Sequence, residues 1–226
     1  MKPPIIISEV GNCHEGNINA ALEMLEKSKE CGADLVKFQA GLAENFARKH
    51  EDIPRYKKYE LGLDGYNRIL ARGREIGIPV FFSVWSDVFK DYWNLEWTKI
   101  PARQCNYNVI GRYANEKTFI SIPHLMPDHE VFSLGITHGI IMHCVEKYPA
   151  HNPFLNRMLR LKEMFCMDTG YSDHTIGIDS CIKAVEFGAY AIEKHFTLAH
   201  DFGPLRDHIH AATPEEFKTF VEKVRG

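Results

Sequence analysis

The sequence predicts a single (β/α)8 TIM barrel, and three observations favour this α/β fold class. Short apolar runs rich in Ile, Val and Phe alternate with longer segments whose apolar residues recur at helical spacing. Eight such runs can be counted, which is the strand inventory of a closed barrel. The 226 residues fit the short end of the length range for one barrel, and no linker composition divides them. We therefore predict one domain over residues 1–226.

Each predicted strand is a short apolar run bounded by turn or helix signals. The strands are predicted at 5–8, 35–38, 80–84, 97–100, 119–122, 139–144, 169–172 and 190–196. An open doubly wound sheet is the main alternative, but no glycine-rich phosphate fingerprint follows the first strand. Eight parallel strands would also leave an open sheet with two long unpaired edges.

The helices are predicted from apolar residues that share one face. In the first helix Ala21, Met24, Leu25 and Ser28 line such a face, and Gly32 can end it. The last helix opens with a capping box, from Thr213 to Glu216, that has proline at the first helical position. The other helices are predicted at 61–76, ended by Gly77, at 108–115, at 128–134, at 155–165 with Pro153 at its start, and at 178–187, closed by Gly188.

Composition and charge exclude several classes of function. A net charge of −3 with interspersed signs leaves no basic stripe for a phosphate backbone, so we expect no nucleic-acid partner. No stretch approaches the ~20 apolar residues that cross a bilayer, and the first residues lack a signal-peptide pattern. The six cysteines are scattered without a C-x-x-C pair, which indicates reduced thiols. We therefore expect a cytoplasmic protein without a membrane partner.

Polar residues follow nearly every predicted strand, at the end of a barrel where active sites lie. Alternation along a strand places Lys37 and Gln39 on one face, and Glu193 and His195 on one face. Two lysines and several hydroxyls at one mouth favour an anionic substrate that carries phosphate or carboxylate. The strand-end residues are Glu9, Lys37, Gln39, Ser83, Lys99, Ser121, His143, Glu146, Ser172, His174, Glu193 and His195.

His174 and His195 fall at the ends of two neighbouring predicted strands, about 4.8 Å apart. That spacing lets two imidazoles share one ion, although a lone histidine is more often a hydrogen-bonded core group. Oxygen atoms from water, substrate or Asp207 would fill the remaining positions. Such a mixed set favours Mn²⁺ or Mg²⁺ over structural zinc.

Three groups have a second interpretation. Lys37 and Lys99 are alternatively surface charges, or one of them forms a Schiff base as in covalent aldolases. Glu9 is alternatively a buried carboxylate of structural value only. The tryptophans are interpreted as packing groups rather than as a sugar platform, and they are Trp85, Trp93 and Trp97.

Several motifs occur in a fixed order along the chain. They are SEVGNCHEG from Ser8, GADLVKFQ from Gly32, KI from Lys99, Ser121, HC from His143, YP from Tyr148, GYSDHT from Gly170 and EKHFTL from Glu193. The SDHT and EKHFT motifs, in this order and spacing, are highly specific. Through these motifs almost the whole chain resembles the barrel domain of the sialic acid synthase family, which includes the legionaminic and pseudaminic acid synthases.

The resemblance implies condensation of phosphoenolpyruvate with an open-chain amino-sugar aldehyde of the N-acetylmannosamine type. Phosphate would leave, and a sialic-acid-type 2-keto-3-deoxy sugar acid would form. It implies Mn²⁺ or Mg²⁺ on His174 and His195, where the metal polarises the aldehyde oxygen, and Glu9 as the residue that handles a proton or orients water. It also implies a homodimer. The predicted substrate-binding residues are Lys37, Lys99, Ser121 and Ser172 for phosphoenolpyruvate, and Tyr148 and Asp207 for the sugar. Three more substrate-binding residues are predicted without assignment to one of the two substrates, and they are Gln39, Arg103 and Gln104.

The sequence departs from the family pattern at several points. After Lys99-Ile100 the family has a small residue, serine, glycine and an acid, whereas Pro101 to Gln104 follow here. Arg103 is expected to replace the lost phosphate contacts. The other departures are Ile122-Pro123 after Ser121, Glu146 or Lys147 in place of an asparagine, and Val84 in place of a threonine.

The family also commonly carries a carboxyl-terminal antifreeze-like domain that contributes an arginine to the sugar site. Because this chain ends at Gly226, we expect sugar recognition to differ or to come from another chain. Two other functions stay open. One is a Schiff-base aldolase of the same fold that uses Lys37, Lys99 or Lys194, and the other is a non-catalytic barrel that binds a sugar or a partner protein.

Overall fold

The computed structural model describes residues 3–47, 49–84, 93 and 95–226. Eight parallel strands close into a barrel in chain order, and β8 pairs with β1. This topology confirms the predicted barrel and excludes the open sheet. The strands are β1 Ile5–Gly11, β2 Leu35–Ala40, β3 Val80–Val84, β4 Thr98–Ile100, β5 Thr118–Pro123, β6 Ile140–Cys144, β7 Thr169–Asp173 and β8 Ala191–His195.

Helices connect the strands and cover the outside of the barrel. Within the described residues they are α1 Ile18–Glu30, α2 Ala43–Phe46, α3 Ile53–Lys57, α4 Gly62–Ile76, α5 Tyr107–Tyr113, α6 Asp128–Ser133, α7 Asn156–Phe165, α8 Asp179–Glu186 and α9 Pro214–Arg225. The short α2 and α3 lie in a segment for which the sequence indicated only polar character. In the part of the chain that the structure describes, no helix is both long and apolar enough to cross a bilayer.

The predicted helix ends are mostly confirmed. Gly77 ends α4 in the left-handed conformation, with φ of +70°. Thr213 and Glu216 form the capping box of α9, since the Thr213 side chain accepts from the Glu216 amide and the Thr213 amide donates to the Glu216 carboxylate. Pro153 was expected at a helix start and is not there, because α7 begins at Asn156.

The barrel interior has two layers, and strand alternation explains both. The lower layer is an apolar cluster that includes Ile7, Leu35, Phe81 and Phe119. Two residues further along each of these strands, the side chain again points inward but is polar. These polar positions are Glu9, Lys37, Ser83 and Ser121, and they are buried. The same offset relates Met142 to Cys144 and Ala191 to Glu193.

The outward side chains of the strands pack under the helices. Val36, Phe38, Tyr171 and Ile192 are buried in a large cluster that also contains the apolar residues of the predicted first and last helices. Trp93 and Trp97 are packing groups, as expected, since their ring centroids lie 4.6 Å from Phe82 and 5.2 Å from Phe119, respectively. Trp85 lies outside the described residues. All six cysteines are free.

Candidate active site

A polar cavity lies at the carboxyl ends of the strands, the end where barrel active sites occur. Its floor consists of inward-pointing strand residues, and its rim consists of residues from the loops that follow β4 and β6. The lining residues are Glu9, Lys37, Gln39, Ser83, Lys99, Pro101, Ala102, Arg103, Ser121, Cys144, Glu146, Tyr148, Ser172, His174, Glu193 and His195.

Glu193 is the centre of a buried charge network on this floor. Its Oε2 atom lies 2.9 Å from Lys99 Nζ and 3.6 Å from Lys37 Nζ. Its Oε1 atom accepts a hydrogen bond of 2.7 Å from Ser172. Lys37 also lies 2.6 Å from Glu9 Oε2 and donates to Ser83 Oγ at 2.8 Å. Residues of β2, β4, β7 and β8 therefore meet at one carboxylate.

The two carboxyl groups respond differently to burial. Burial alone would raise the pKa of Glu193, but Lys37 and Lys99 outweigh it and lower that pKa. For Glu9, burial raises the pKa by more than the attraction of Lys37 lowers it, and repulsion by the nearby Glu193 raises it further. Glu193 is thus held as a carboxylate, whereas the Glu9 carboxyl group can carry a proton near neutral pH.

The two lysines also differ. Burial would lower the pKa of Lys37, but Glu193 and Glu9 outweigh burial and raise it. For Lys99 burial outweighs the single carboxylate of Glu193, so its pKa is lowered. Lys37 is therefore the firmly charged ammonium, and the charge on Lys99 depends on Glu193.

His174 and His195 lie side by side at the edge of the charge network. Their ring centroids are 5.3 Å apart. His174 Nδ1 donates to the carbonyl oxygen of Val145 at 2.7 Å, which leaves its Nε2 as an acceptor or ligand atom. His195 Nδ1 is buried and finds no hydrogen-bond partner among the residues that the structure describes. Burial lowers the pKa of His174 to about 4 and also lowers that of His195, so both rings are neutral at neutral pH.

This donor set fits a divalent ion. Two neutral imidazoles with available nitrogen atoms lie next to carboxylates and a cavity that can admit water or substrate oxygen. In the described part of the chain, no three or more His, Cys, Asp and Glu side chains are already arranged as a metal site. The remaining ligands would have to come from solvent, from substrate or from a side chain that rotates.

Comparison with known proteins identifies the family. The model of the NeuB family matches residues 24–226. The chain belongs to the NeuB family. An N,N'-diacetyllegionaminic acid synthase of Campylobacter jejuni is 31% identical over all of this chain and 76% of its own length. An uncharacterized protein of Methanocaldococcus jannaschii is 33% identical over 99% of this chain and 71% of its own. The predicted resemblance to sialic-acid-type synthases is confirmed.

A solved structure agrees with this assignment. The N-acetylneuraminic acid synthetase of Leptospira borgpetersenii, in complex with citrate, has a TM-score of 0.89 at 26% identity. The match covers 99% of this chain and 83% of that one. The NeuB-family barrel is therefore present over almost all of the 226 residues.

Most of the predicted site residues of this NeuB-family chain come together in the cavity. They are Glu9, Lys37, Gln39, Lys99, Arg103, Ser121, Tyr148, Ser172, His174 and His195. Gln104 and Asp207 are not among the lining residues. Gln104 is the last residue of a short 3-10 turn, Ala102–Gln104, and Asp207 is partly buried in another, Arg206–Ile209. Their part in substrate binding stays a prediction.

One expectation for this NeuB-family site was wrong. His143 was placed among the strand-end residues that face the cavity, but Met142 and Cys144 are the inward residues of β6. The intervening His143 therefore points outward, where its Nε2 donates to the Pro153 carbonyl at 2.8 Å.

Two features were not predicted. Glu193 was recognised as an inward residue, but its role as the common partner of both lysines depends on long side chains that meet across the barrel. His210 lies in a loop after β8, where strand alternation predicts no direction for a side chain. Its ring centroid is only 4.8 Å from that of His195. The only sign of His210 in the sequence is that it is a second histidine, two positions after His208.

Proposed function

We propose that this chain catalyses the metal-dependent condensation of phosphoenolpyruvate with an amino-sugar aldehyde of the N-acetylmannosamine type. C3 of phosphoenolpyruvate would bond to the aldehyde carbon, water would add at C2, and the C2–O bond to phosphate would break. The products would be inorganic phosphate and a sialic-acid-type 2-keto-3-deoxy sugar acid. The observation that carries the proposal is the buried Lys37–Glu193–Lys99 network beside the pair His174 and His195.

Lys37 and Lys99 would hold the phosphate and carboxylate of phosphoenolpyruvate. Both ammonium groups are buried and both already face carboxylate oxygen at 2.6 to 3.6 Å, which is the geometry that an anionic ligand would reproduce. Ser121 and Ser172 add hydroxyl donors to the same floor. When Glu9 is protonated, the two ammonium groups outnumber the carboxylate of Glu193, which leaves positive charge for an anionic ligand.

Glu9 would hold and transfer the proton of the reaction at a carboxyl oxygen. Its raised pKa lets it exist in both protonation states near neutral pH, which general acid–base catalysis requires. Gln39 Nε2 lies 3.4 Å from Glu9 Oε1, and Asn12 donates to Gln39 Oε1 at 3.0 Å. This short relay would orient the carboxyl group toward the substrate.

His174 and His195 would hold the divalent ion, Mn²⁺ or Mg²⁺ by family resemblance, which supplies Lewis-acid polarisation of the aldehyde oxygen. The ring of Tyr148 lies over that of His174, with centroids 4.1 Å apart, and its side chain is half-exposed at the mouth. Tyr148 would therefore contact the sugar. A homodimer and a cytoplasmic location stay predictions from the resemblance and the composition.

The test is phosphate release from phosphoenolpyruvate with Mn²⁺, across a panel of N-acetylmannosamine and related aldehydes. We expect release that requires the aldehyde and the metal and that is lost in His195→Ala. The matched control is His200→Ala, since His200 is an exposed histidine that lies outside the cavity lining. Unchanged release after chelation would contradict the proposal.

The Schiff-base alternative rests on one observation, the lowered pKa of buried Lys99. Treatment with pyruvate and borohydride separates the two chemistries. An adduct at Lys99 that is absent in Lys99→Met would support an aldolase and overturn the condensation. We expect no adduct.

A further inference from the structure

His210 is fixed beside His195 by the backbone. The Ala212 amide donates to the carbonyl oxygen of His195 at 2.7 Å, and the Thr197 amide donates to the Ala212 carbonyl oxygen at 3.0 Å. This short parallel bridge ties the loop before α9 to the end of β8. His210 is two residues from Ala212, so its place next to His195 is determined by the fold and not by a mobile surface loop.

The ring of His210 forms a triangle with the two histidines of the proposed metal site. The ring centroids are 4.8 Å apart for His210 and His195, 5.8 Å for His210 and His174, and 5.3 Å for His174 and His195. An imidazole nitrogen ligates a divalent ion at about 2.0 to 2.1 Å, which places two rings on one ion about 4.5 to 5.5 Å apart. Two of the three separations fall in this range, and the third exceeds it by a few tenths of an ångström.

The nitrogen atoms of His210 have no partner within the described residues. The side chain has 0% exposure, and neither Nδ1 nor Nε2 makes a hydrogen bond. A buried polar group without a partner costs free energy, so such a group in a folded protein generally serves a ligand or an ordered water. His195 Nδ1, next to it, is also buried and without a partner. Two adjacent rings with unused nitrogen atoms indicate a shared ligand.

We propose that His210 is a third imidazole ligand of the metal site on His174 and His195. This inference rests on the proposed function, because it deepens the metal site assigned there. The three histidines are not gathered as a finished site in the structure, so the His210 ring must rotate about its side-chain bonds when the ion enters.

Three imidazoles change which ions the site prefers. Imidazole nitrogen suits Zn²⁺, Fe²⁺, Co²⁺ and Ni²⁺, whereas Mg²⁺ prefers oxygen ligands. Relative to the pair His174 and His195 alone, for which Mn²⁺ or Mg²⁺ is proposed above, a site with three imidazoles favours nitrogen-preferring ions over Mg²⁺, and His210 is the residue that determines this shift.

The test is direct metal binding, without substrate. The full chain is titrated with Co²⁺ and, separately, with Mg²⁺, and binding is followed by calorimetry and by the visible absorption of Co²⁺. In His210→Phe we expect Co²⁺ affinity to fall by about 10- to 100-fold, because one imidazole ligand of the ion is lost. The absorption spectrum of bound Co²⁺ should change for the same reason. Mg²⁺ affinity should change far less.

His124→Phe is the matched control. His124 is only partly buried, and its Nδ1 has no partner among the described residues, as is the case for His210. Its ring, however, stacks on Phe154 and it does not line the active cavity. Wild-type Co²⁺ affinity is expected in this variant. Equal Co²⁺ affinity and spectra in His210→Phe and wild type would overturn the inference.

A measurement on the wild-type chain alone guards against a variant that fails to fold. Pulsed electron paramagnetic resonance of bound Cu²⁺ counts coordinated imidazoles, and we expect three. A count of two would overturn the role of His210 as a third ligand and leave the proposed function intact. Absence of metal binding in wild type would overturn both.

Discussion

Asp173 and Lys194 form an ion pair with no solvent exposure, in which Nζ lies 2.8 Å from Oδ2. The two residues are partners in the β7–β8 register and immediately precede His174 and His195. Lys194 also donates to the Thr175 carbonyl oxygen at 2.5 Å, and Tyr171 donates to Asp173 at 2.8 Å. The pair therefore fixes the relative position of the two histidines from outside the barrel.

Removal of one partner of this pair should be strongly destabilising. We expect Lys194→Met to lower the free energy of unfolding by about 3 to 5 kcal/mol, because it leaves the Asp173 carboxylate buried and uncompensated. Urea denaturation measures the change. Lys27→Met, at an exposed pair with Glu30, is the control and should cost less than about 1 kcal/mol. Similar losses in the two variants would contradict a structural role for the buried pair.

Glu193→Gln should weaken the use of phosphoenolpyruvate. The change removes the carboxylate that holds Lys99 Nζ at 2.9 Å and supports its charge against burial, so Lys99 loses both the position and the ammonium charge with which it would bind the anion. We expect kcat/KM for phosphoenolpyruvate to fall by about 100-fold, or about 2.7 kcal/mol. Steady-state phosphate release measures it. Glu116→Gln, at an exposed pair with His138, should leave kcat/KM unchanged. An unaltered kcat/KM in Glu193→Gln would argue against the network as the anion site.

Asp207 should make stability depend on pH. Burial raises its pKa from 3.8 to about 6 in the folded chain. Below the pKa that Asp207 has in the unfolded chain, both the folded and the unfolded states are protonated, and this residue does not change the free energy of unfolding. As pH rises through about 4 to 6, the unfolded chain releases its proton first and folding becomes less favourable. The raised pKa corresponds to at most about 3 kcal/mol, and we expect about 1 to 2 kcal/mol because the side chain is partly exposed.

Asp207→Asn should therefore stabilise the protein by that amount at about pH 7.5 and have little effect at about pH 4. Urea denaturation at both values is the measurement. Asp201→Asn, at an exposed position of the same loop, should change stability by less than about 0.5 kcal/mol at either pH. Equal effects of Asp207→Asn at the two pH values would show that its carboxyl group is not desolvated.

Gly170 should not tolerate even a methyl group. A Cβ there would clash with the Ala191 carbonyl oxygen and lie 2.7 Å from Met142 Sδ, inside the barrel two residues before Ser172. We expect Gly170→Ala to cost about 2 to 3 kcal/mol through overpacking. Gly111→Ala is the opposite case, because no described residue lies within 4 Å of its added Cβ in α5, and it should stabilise by about 0.5 to 1 kcal/mol. Thermal unfolding of the two variants tests whether Gly170→Ala lowers the melting temperature and Gly111→Ala raises it.

The sequence predicted the barrel because its signals are local and periodic. Each strand is a short apolar run, and the positions of Lys37, Lys99, His174 and His195 relative to strand ends follow from alternation alone. His143 was misplaced because one residue of register decides which face a side chain occupies.

The contacts that depend on the tertiary fold were not predictable in this way. The meeting of Glu193 with lysines of β2 and β4 depends on closure of the barrel. The approach of His210 to His195 depends on a backbone bridge between β8 and a loop, for which hydrophobic periodicity carries no signal. Sequence motifs therefore located the residues that strands present, and the structure was needed for those that loops bring in.

The two interior layers of the barrel separate stability from chemistry. Ile7, Leu35, Phe81 and Phe119 fill the lower layer, and none of them lines the cavity above. Repacking of this apolar plug would raise or lower heat tolerance without changing the charge of the reactive floor. Thermal stability and active-site chemistry can therefore be changed almost independently in such a barrel. Directed evolution can first stabilise the lower apolar layer, and the more stable protein can then tolerate new loop sequences at the mouth of the cavity.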